Sequence, residues 1–199
     1  MNLDDFKKIT FVKSASDENS LVKDTRKTEL AFWGRSNVGK SSLLNALAYG
    51  QKLAKTSNTP GRTQLLNFFS LSSNAHLVDM PGYGFAKAPK SQRQKWESLI
   101  YAYLLKRPNL KRLFLLIDAR HGIIKTDAEV IEFLNSLPIA FQVVLTKADK
   151  TSSTNLKKIS EDTLTYLKNY GAAHPEIIIT SAEKGLGMDN LRATILNVI

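Results

Sequence analysis

Gly34-Arg35-Ser36-Asn37-Val38-Gly39-Lys40-Ser41 has the spacing G-x-x-x-x-G-K-S, and its residue types suit one task, holding a chain of phosphates. Gly34 and Gly39 permit backbone angles and a close approach that a Cβ would block. Successive N–H groups of such a loop can point inward as an anion nest at the positive end of a helix dipole. Lys40 reaches the terminal phosphates as a point charge. Ser41 offers a hydroxyl to Mg²⁺, which prefers hard oxygen ligands.

Four further stretches complete a nucleotide site. Asp79-Met80-Pro81-Gly82 supplies a carboxylate able to hold Mg²⁺ through water and an N–H, on Gly82, able to meet a terminal phosphate. Thr59-Pro60-Gly61-Arg62-Thr63 lies in a polar stretch, and a threonine hydroxyl closing onto Mg²⁺ would make that stretch sense the terminal phosphate. Thr56, Thr59 and Thr63 all have the chemistry for it. In Thr146-Lys147-Ala148-Asp149 the carboxylate can accept from guanine N1–H and its 2-amino group, two donors that adenine lacks. The stem of Lys147 can pack along the base. Thr180-Ser181-Ala182 can present a backbone N–H to guanine O6.

These stretches need strand ends to hold them, where open α/β sheets bind ligands. Strands are expected over Thr28 to Trp33, Leu65 to Leu71, Ala75 to Val78, Arg112 to Ile117, Ala140 to Leu145 and Ile177 to Ile179. Helices are expected over Lys40 to Leu47, Ser91 to Lys106, Asp127 to Ser136, Asn155 to Tyr170 and Met188 to Val198, each with apolar residues at helical spacing. Ser72-Ser73-Asn74 joins its two strands as a hairpin. The alternation predicts an α/β fold: a mostly parallel sheet with one antiparallel strand and helices on both faces. Residues 28–199 form one domain. Residues 1–27, with a short apolar patch at Ile9, Phe11 and Val12, form an N-terminal arm or an edge strand.

Composition narrows the class. A chain of 199 residues, 43% hydrophobic and without cysteine, suits a globular cytoplasmic domain and has no thiolate chemistry. No apolar run approaches a membrane span, and the N-terminus has early acids in place of a secretory apolar region. Net charge is +10, and it is unevenly placed. Thirteen Lys and Arg stand against Asp79 and Glu97 between Leu30 and Ile117, while the remainder is close to neutral. That asymmetry points to a polyanionic partner, most simply nucleic acid.

GRSNVGKS, TPGRTQLLNFF, DMPGYGFA, TKAD and TSA, in this order, resemble the EngB family of bacterial ribosome-biogenesis GTPases. The resemblance runs from about Leu30 to the end. It implies a Ras-like P-loop GTPase fold, Mg²⁺, and GTP or GDP as ligand. It also implies a partner in the large ribosomal subunit precursor or its rRNA, with no membrane, and a monomer. It selects Thr63 beside Ser41 as the second Mg²⁺ ligand, gives Lys40 and Thr63 the catalytic roles, and adds Gly61, Arg62, Gln64 and Leu65 to the nucleotide contacts. Three positions stand out. Thr146 occupies a place where GTPases most often carry asparagine. Tyr83 stands where many carry the glutamine that orients the attacking water, so hydrolysis is expected to be slow and stimulated by potassium or a ribosomal particle. Asn37 resembles the asparagine that holds K⁺ in some relatives. A P-loop kinase and an RNA-binding module with a relic site are the competing classes. Asp149 and the Thr180-Ser181-Ala182 stretch argue against the first; Lys40, Ser41, Thr63 and Asp79 together argue against the second.

Overall fold

A computed structural model describes residues 2–53, 65–84 and 90–199, with 90–96 given by backbone alone. Its strands are β1 (Thr10–Ala15), β2 (Thr28–Gly34), β3 (Leu66–Ser70), β4 (Ala75–Asp79), β5 (Leu110–Asp118), β6 (Phe141–Thr146) and β7 (Ile178–Ile179). The helices are α1 (Lys40–Leu47), α2 (Lys90–Lys106), α3 (Lys125–Asn135), α4 (Ser153–Leu167) and α5 (Met188–Val198). The strands form one sheet in the order β1-β3-β4-β2-β5-β6-β7. β3 pairs antiparallel with both its neighbours, and every other pairing is parallel, so β3 alone runs against the rest.

Alternation along each central strand feeds two cores. Ala31, Trp33, Leu113, Leu115, Ile117, Val143 and Leu145 face the layer that holds α2, α3 and α4. Leu30, Phe32, Phe114, Leu116 and Val144 face α1 and α5. A parallel strand covered on both faces must be apolar at nearly every position, which is why β5 and β6 read as unbroken hydrophobic runs. Phe32 stacks on Phe114 across β2 and β5 with ring centroids 5.1 Å apart.

Residues before Thr28 join this architecture. A 3₁₀ helix, Leu3–Lys8, buries Phe6 completely against the α1 and α5 layer, and Ile9 follows it in. β1 then extends the sheet beyond β3, with a register shift between Phe11 and Lys13. The short apolar patch therefore splits: Ile9 is buried, whereas Phe11 and Val12 are exposed.

Element ends differ from expectation for local reasons. β5 begins at Leu110, two residues before the expected start at Arg112, because Leu110 pairs with Glu29 of β2; a register shift skips Lys111, and Arg112 pairs with Leu30. α4 stops at Leu167, and Tyr170, which kept the helical spacing going, packs from a following turn through its hydroxyl to Tyr166, 2.9 Å away.

Candidate nucleotide-binding site

The phosphate loop joins the end of β2 to α1. Gly39 caps the helix at φ +104, a left-handed conformation that costs glycine little. The first intrahelical bond runs from Leu43 N–H to Gly39 O, which leaves the N–H groups of the first turn pointing out of the helix end. Two loop N–H groups serve the protein instead of an anion: Ser36 N–H donates to Tyr83 O at 3.1 Å and Val38 N–H to Arg35 O at 3.1 Å. The nest read from the sequence is thus concentrated at the start of α1.

Lys40 is almost fully buried and pairs with Asp79 Oδ1 at the end of β4. Asp79 Oδ2 accepts from Asn67 Nδ2 at 3.3 Å, and Asn67 Oδ1 accepts from Ser14 Oγ at 2.6 Å. The chain of contacts runs across three strands, from β1 to the phosphate loop, and fixes which way the Asn67 amide faces. Ser41 lies half-buried one residue further along α1. A buried carboxylate and a nearby hydroxyl are hard oxygen donors and fit Mg²⁺. Gly61, Arg62, Thr63 and Gln64 lie outside the described residues. Leu65 is half-buried just before β3.

Met80 and Pro81 are buried, and Gly82 follows them against the phosphate loop. A Cβ on Gly82 would stand 3.0 Å from Ser36 Oγ and 3.2 Å from Ser36 N, so a side chain there would push the two loops apart. Tyr83 then runs beside the phosphate loop as a short parallel bridge to Arg35. Its ring meets Trp33 edge-on at 5.3 Å, and Trp33 Nε1 donates to Pro81 O at 2.9 Å. Burial, with the Asp127 charge and hydrogen bond added to it, holds the Tyr83 phenol far above its ordinary range. This tyrosine is a neutral hydrogen-bond donor to Asp127, not a free group aimed at water.

On the other side of the loop, Gly39, Leu43, Thr146, Lys147, Asp149 and Ala182 help line a cavity of about 200 Å³. Lys147 adopts φ +57, and its stem passes 3.5 Å from where a Gly39 Cβ would be. Its ammonium donates to Asn37 O at 2.6 Å and to Asp118 Oδ2 at 2.9 Å. Burial alone would push the Asp118 carboxyl up, but hydrogen bonds from Arg120 and Lys147 outweigh it and hold the group well below the usual carboxylate range. Asp149 Oδ1 accepts from Ser181 Oγ at 2.5 Å, and that bond lowers the pKa of the carboxyl. Oδ2 is buried, faces Lys150 Nζ at 3.2 Å in ion-pair geometry, and accepts no hydrogen bond among the described residues. Such an oxygen suits a ligand N–H.

Three sequence candidates turn out to brace the cavity. Thr146 Oγ1 donates to Val38 O at 2.7 Å, tying β6 to the phosphate loop. Thr180 Oγ1 donates to Leu145 O at 2.9 Å, while its carbonyl accepts from Ala148 N–H at 3.1 Å. Ser181 contributes its hydroxyl to Asp149, and its N–H is spent on Leu186 O. Ala182 is left with a partly exposed position at the cavity. Sequence reasoning missed Asp118 and Asn67. An acid ending an apolar strand was the available signal for Asp118; Asn67 had none beyond lying in TPGRTQLLNFF.

A phosphate loop on β2, an acid ending β4 and a cavity beside β6 and β7 that Asp149 helps line are the parts of a P-loop GTPase. Residues 29–147 match the family described as 50S ribosome-binding GTPase, and residues 110–199 match the elongation factor Tu GTP binding domain. The probable GTP-binding protein EngB of Bartonella quintana is 52% identical over 181 residues, covering 86% of this chain and 84% of its own. That of Roseobacter denitrificans is 48% identical, covering 94% and 87%. Among solved structures, a probable GTP-binding protein engB is 26% identical with a TM-score of 0.67, covering 86% of this chain and 98% of its own. Aquifex aeolicus Era bound to GDP and AlF4⁻ is 27% identical with a TM-score of 0.68, covering 87% and 57%. The chain belongs to the EngB family of GTP-binding proteins, and it is a GTPase.

Proposed function

We propose that this GTPase times a step in the assembly of the large ribosomal subunit, docking on rRNA or a precursor particle through its basic side. The observation that carries the reading is the segregation of charge: the whole positive excess lies between Leu30 and Ile117, the part of the chain that includes the phosphate loop. The match to a family described as ribosome-binding supports it, as does an Era structure of similar fold, 27% identical, solved with MgGDPNP and nucleotides 1506–1542 of 16S ribosomal RNA. The protein would act in the cytoplasm as a monomer. Among the described residues no helix is long and apolar enough to cross a membrane.

At the site, Gly34, Arg35, Ser36, Asn37, Val38 and Gly39 wrap the phosphates, and Lys40 takes up their charge by exchanging Asp79 for a phosphate oxygen. Ser41 and Thr63 hold Mg²⁺, with Asp79 behind them. The metal they would hold would supply positive charge to the phosphates. Gly82 N–H meets the terminal phosphate. Asp149 reads guanine N1–H and the 2-amino group, Lys147 covers the base, and an N–H at Ala182 reaches O6. Tyr83 supplies no amide to orient water, so turnover of the protein alone is on the order of 10⁻⁴–10⁻² s⁻¹. Potassium held near Asn37, or the particle itself, raises it.

The test is co-sedimentation with isolated ribosomal subunits in GDP and in a non-hydrolysable GTP analogue, followed by turnover in sodium or potassium with and without those subunits. Binding to the large subunit that depends on the nucleotide, with faster turnover there, is the expected result. Equal absence from both subunits in both nucleotides would overturn the ribosomal reading.

A further inference from the structure

Asp127 belongs to no motif, yet it is completely buried at the first turn of α3, between two loops of the nucleotide site. Its Oδ1 accepts from the Tyr83 hydroxyl at 2.7 Å and lies 3.1 Å from Arg35 Nε. Its Oδ2 accepts from Ile124 N–H at 3.1 Å, closing the helix start. Arg35 comes from the phosphate loop and Tyr83 from the loop that follows Gly82. One carboxylate therefore joins three elements that the sequence keeps far apart.

The backbone shows what this arrangement holds in place. Tyr83 N–H donates to Gly34 O at 3.2 Å, and Tyr83 O accepts from Ser36 N–H. Gly82 is held close to Ser36 as a result, and a side chain there would require Ser36 to give way. The Tyr83 ring is wedged on Trp33 and its hydroxyl is pinned by Asp127, so the backbone at Gly82 has little freedom to drift. The pin is charged and incomplete: Arg35 Nε and Nη2 are buried without a hydrogen bond that meets good geometry. A buried ion pair that loses one member leaves an uncompensated charge, so the three residues act together.

We propose that Asp127, through Tyr83 and Arg35, is a positioning residue for GTP hydrolysis: it holds the Gly82 N–H where a terminal phosphate can be sensed. Tyr83 thereby replaces the missing glutamine not as a water ligand but as an anchor. The inference rests on Gly82 as the terminal-phosphate contact proposed above. It separates two nucleotides that differ by that phosphate. GDP makes no contact at Gly82, so loosening the anchor leaves GDP affinity alone. A GTP analogue loses the contact, because a ligand gains only from the state that it binds differentially.

The experiment compares Tyr83→Phe, Asp127→Asn and the double variant with wild type. Each keeps side-chain size, and asparagine retains an acceptor for Ile124 N–H. Affinities for GDP and for a non-hydrolysable GTP analogue are titrated, and single-turnover hydrolysis is timed. Each single variant is expected to lower the preference for the analogue over GDP by about fivefold or more, with GDP affinity unchanged, and to slow hydrolysis. The double variant is expected to fall no further than the worse single one, as for groups acting through one contact. Trp33 gives an independent signal in a Trp96→Phe background, since the chain has two tryptophans. Its emission should shift on exchanging GDP for the analogue in that background, and not when Asp127→Asn is added.

A merely structural role would lower melting temperature and weaken both nucleotides alike; that outcome, or an unchanged preference, overturns the proposal. Gly82→Ala separates this from the reading beneath it. If Gly82→Ala keeps the preference for the analogue, the phosphate contact is misassigned. If it loses the preference and the Asp127 and Tyr83 variants do not, the anchor is misassigned.

Discussion

At the scale of single residues, Asp149 carries the sharpest chemical claim. Its two carboxylate oxygens sit in unlike surroundings, one held by Ser181 and the other buried without a hydrogen bond among the described residues. Guanine's paired donors match such an acceptor, whereas xanthine presents a carbonyl in place of the 2-amino group. Asp149→Asn is therefore expected to weaken GTP by ~10²-fold or more and to favour XTP, since a polar group left unpaired costs on the order of 1–3 kcal/mol on each side of the contact. Titration with both nucleotides checks it, and equal GTP affinity in variant and wild type would remove Asp149 from the base contact. Thr146 shows how an unusual residue at a motif position is absorbed. The shorter side chain still reaches the phosphate loop through Val38 O, so the brace between β6 and that loop survives the loss of an amide.

At the scale of elements, local pattern was enough to locate the phosphate loop, the central strands and the helices, because burial on both sides writes long apolar runs and helical spacing directly into the chain. It was not enough before Thr28. There a 3₁₀ helix buries Phe6 and a register shift displaces Val12, and neither has a period that a sequence displays. The bracing residues were hidden for a related reason. Ser14 meets Asn67, and Tyr83 meets Asp127, only after strands and helices have been brought together. The same holds at the opposite end of the sheet, where Arg107, just past α2, pairs with Glu29 at the start of β2 and donates to Val22 O at 2.7 Å. Both ionic side chains are buried, so this pair fastens α2 beneath the sheet, away from the nucleotide. Glu29→Gln strands the guanidinium in a dry site and is expected to lower stability by about 3–5 kcal/mol. Denaturant unfolding should show that loss, while GDP affinity at a permissive temperature stays at the wild-type value. Coupled loss of nucleotide binding by the folded variant would mean that the two ends of β2 are not independent.

At the scale of the whole molecule, the question is how much of the basic excess a partner can meet. From Gly82 to Arg112 the sequence holds eight basic residues and one acid, Glu97. The fold withdraws part of that charge. Arg107 is buried against Glu29, Lys106 pairs with Glu18 at 2.7 Å, and Arg112 donates to Gln142 Oε1 at 3.0 Å. Lys111 stays exposed. That leaves Lys87, Lys90, Arg93 and Lys95, beside Lys111, as the charge to test against a polyanion. Lys87 lies outside the described residues, and Lys90, Arg93 and Lys95 stand on the first turns of α2. That start of α2 follows Tyr83 by seven positions in the sequence, so the proposed γ-phosphate contact at Gly82 and this charge are close along the chain. Each lysine or arginine that meets a phosphate releases counterion and adds to the salt dependence of binding. Replacing Lys87, Lys90 and Arg93 together by glutamine is expected to weaken co-sedimentation with the large ribosomal subunit and to flatten its salt dependence by up to about three contacts' worth of slope, without changing GTP affinity. A matched loss of charge on α4 and just past its end, at the exposed Lys157, Lys158 and Lys168, separates local contact from net charge. If only the first set weakens binding, the surface at the start of α2 meets the polyanion; if both sets weaken it equally, attraction is a property of overall charge; if neither does, the partner binds elsewhere.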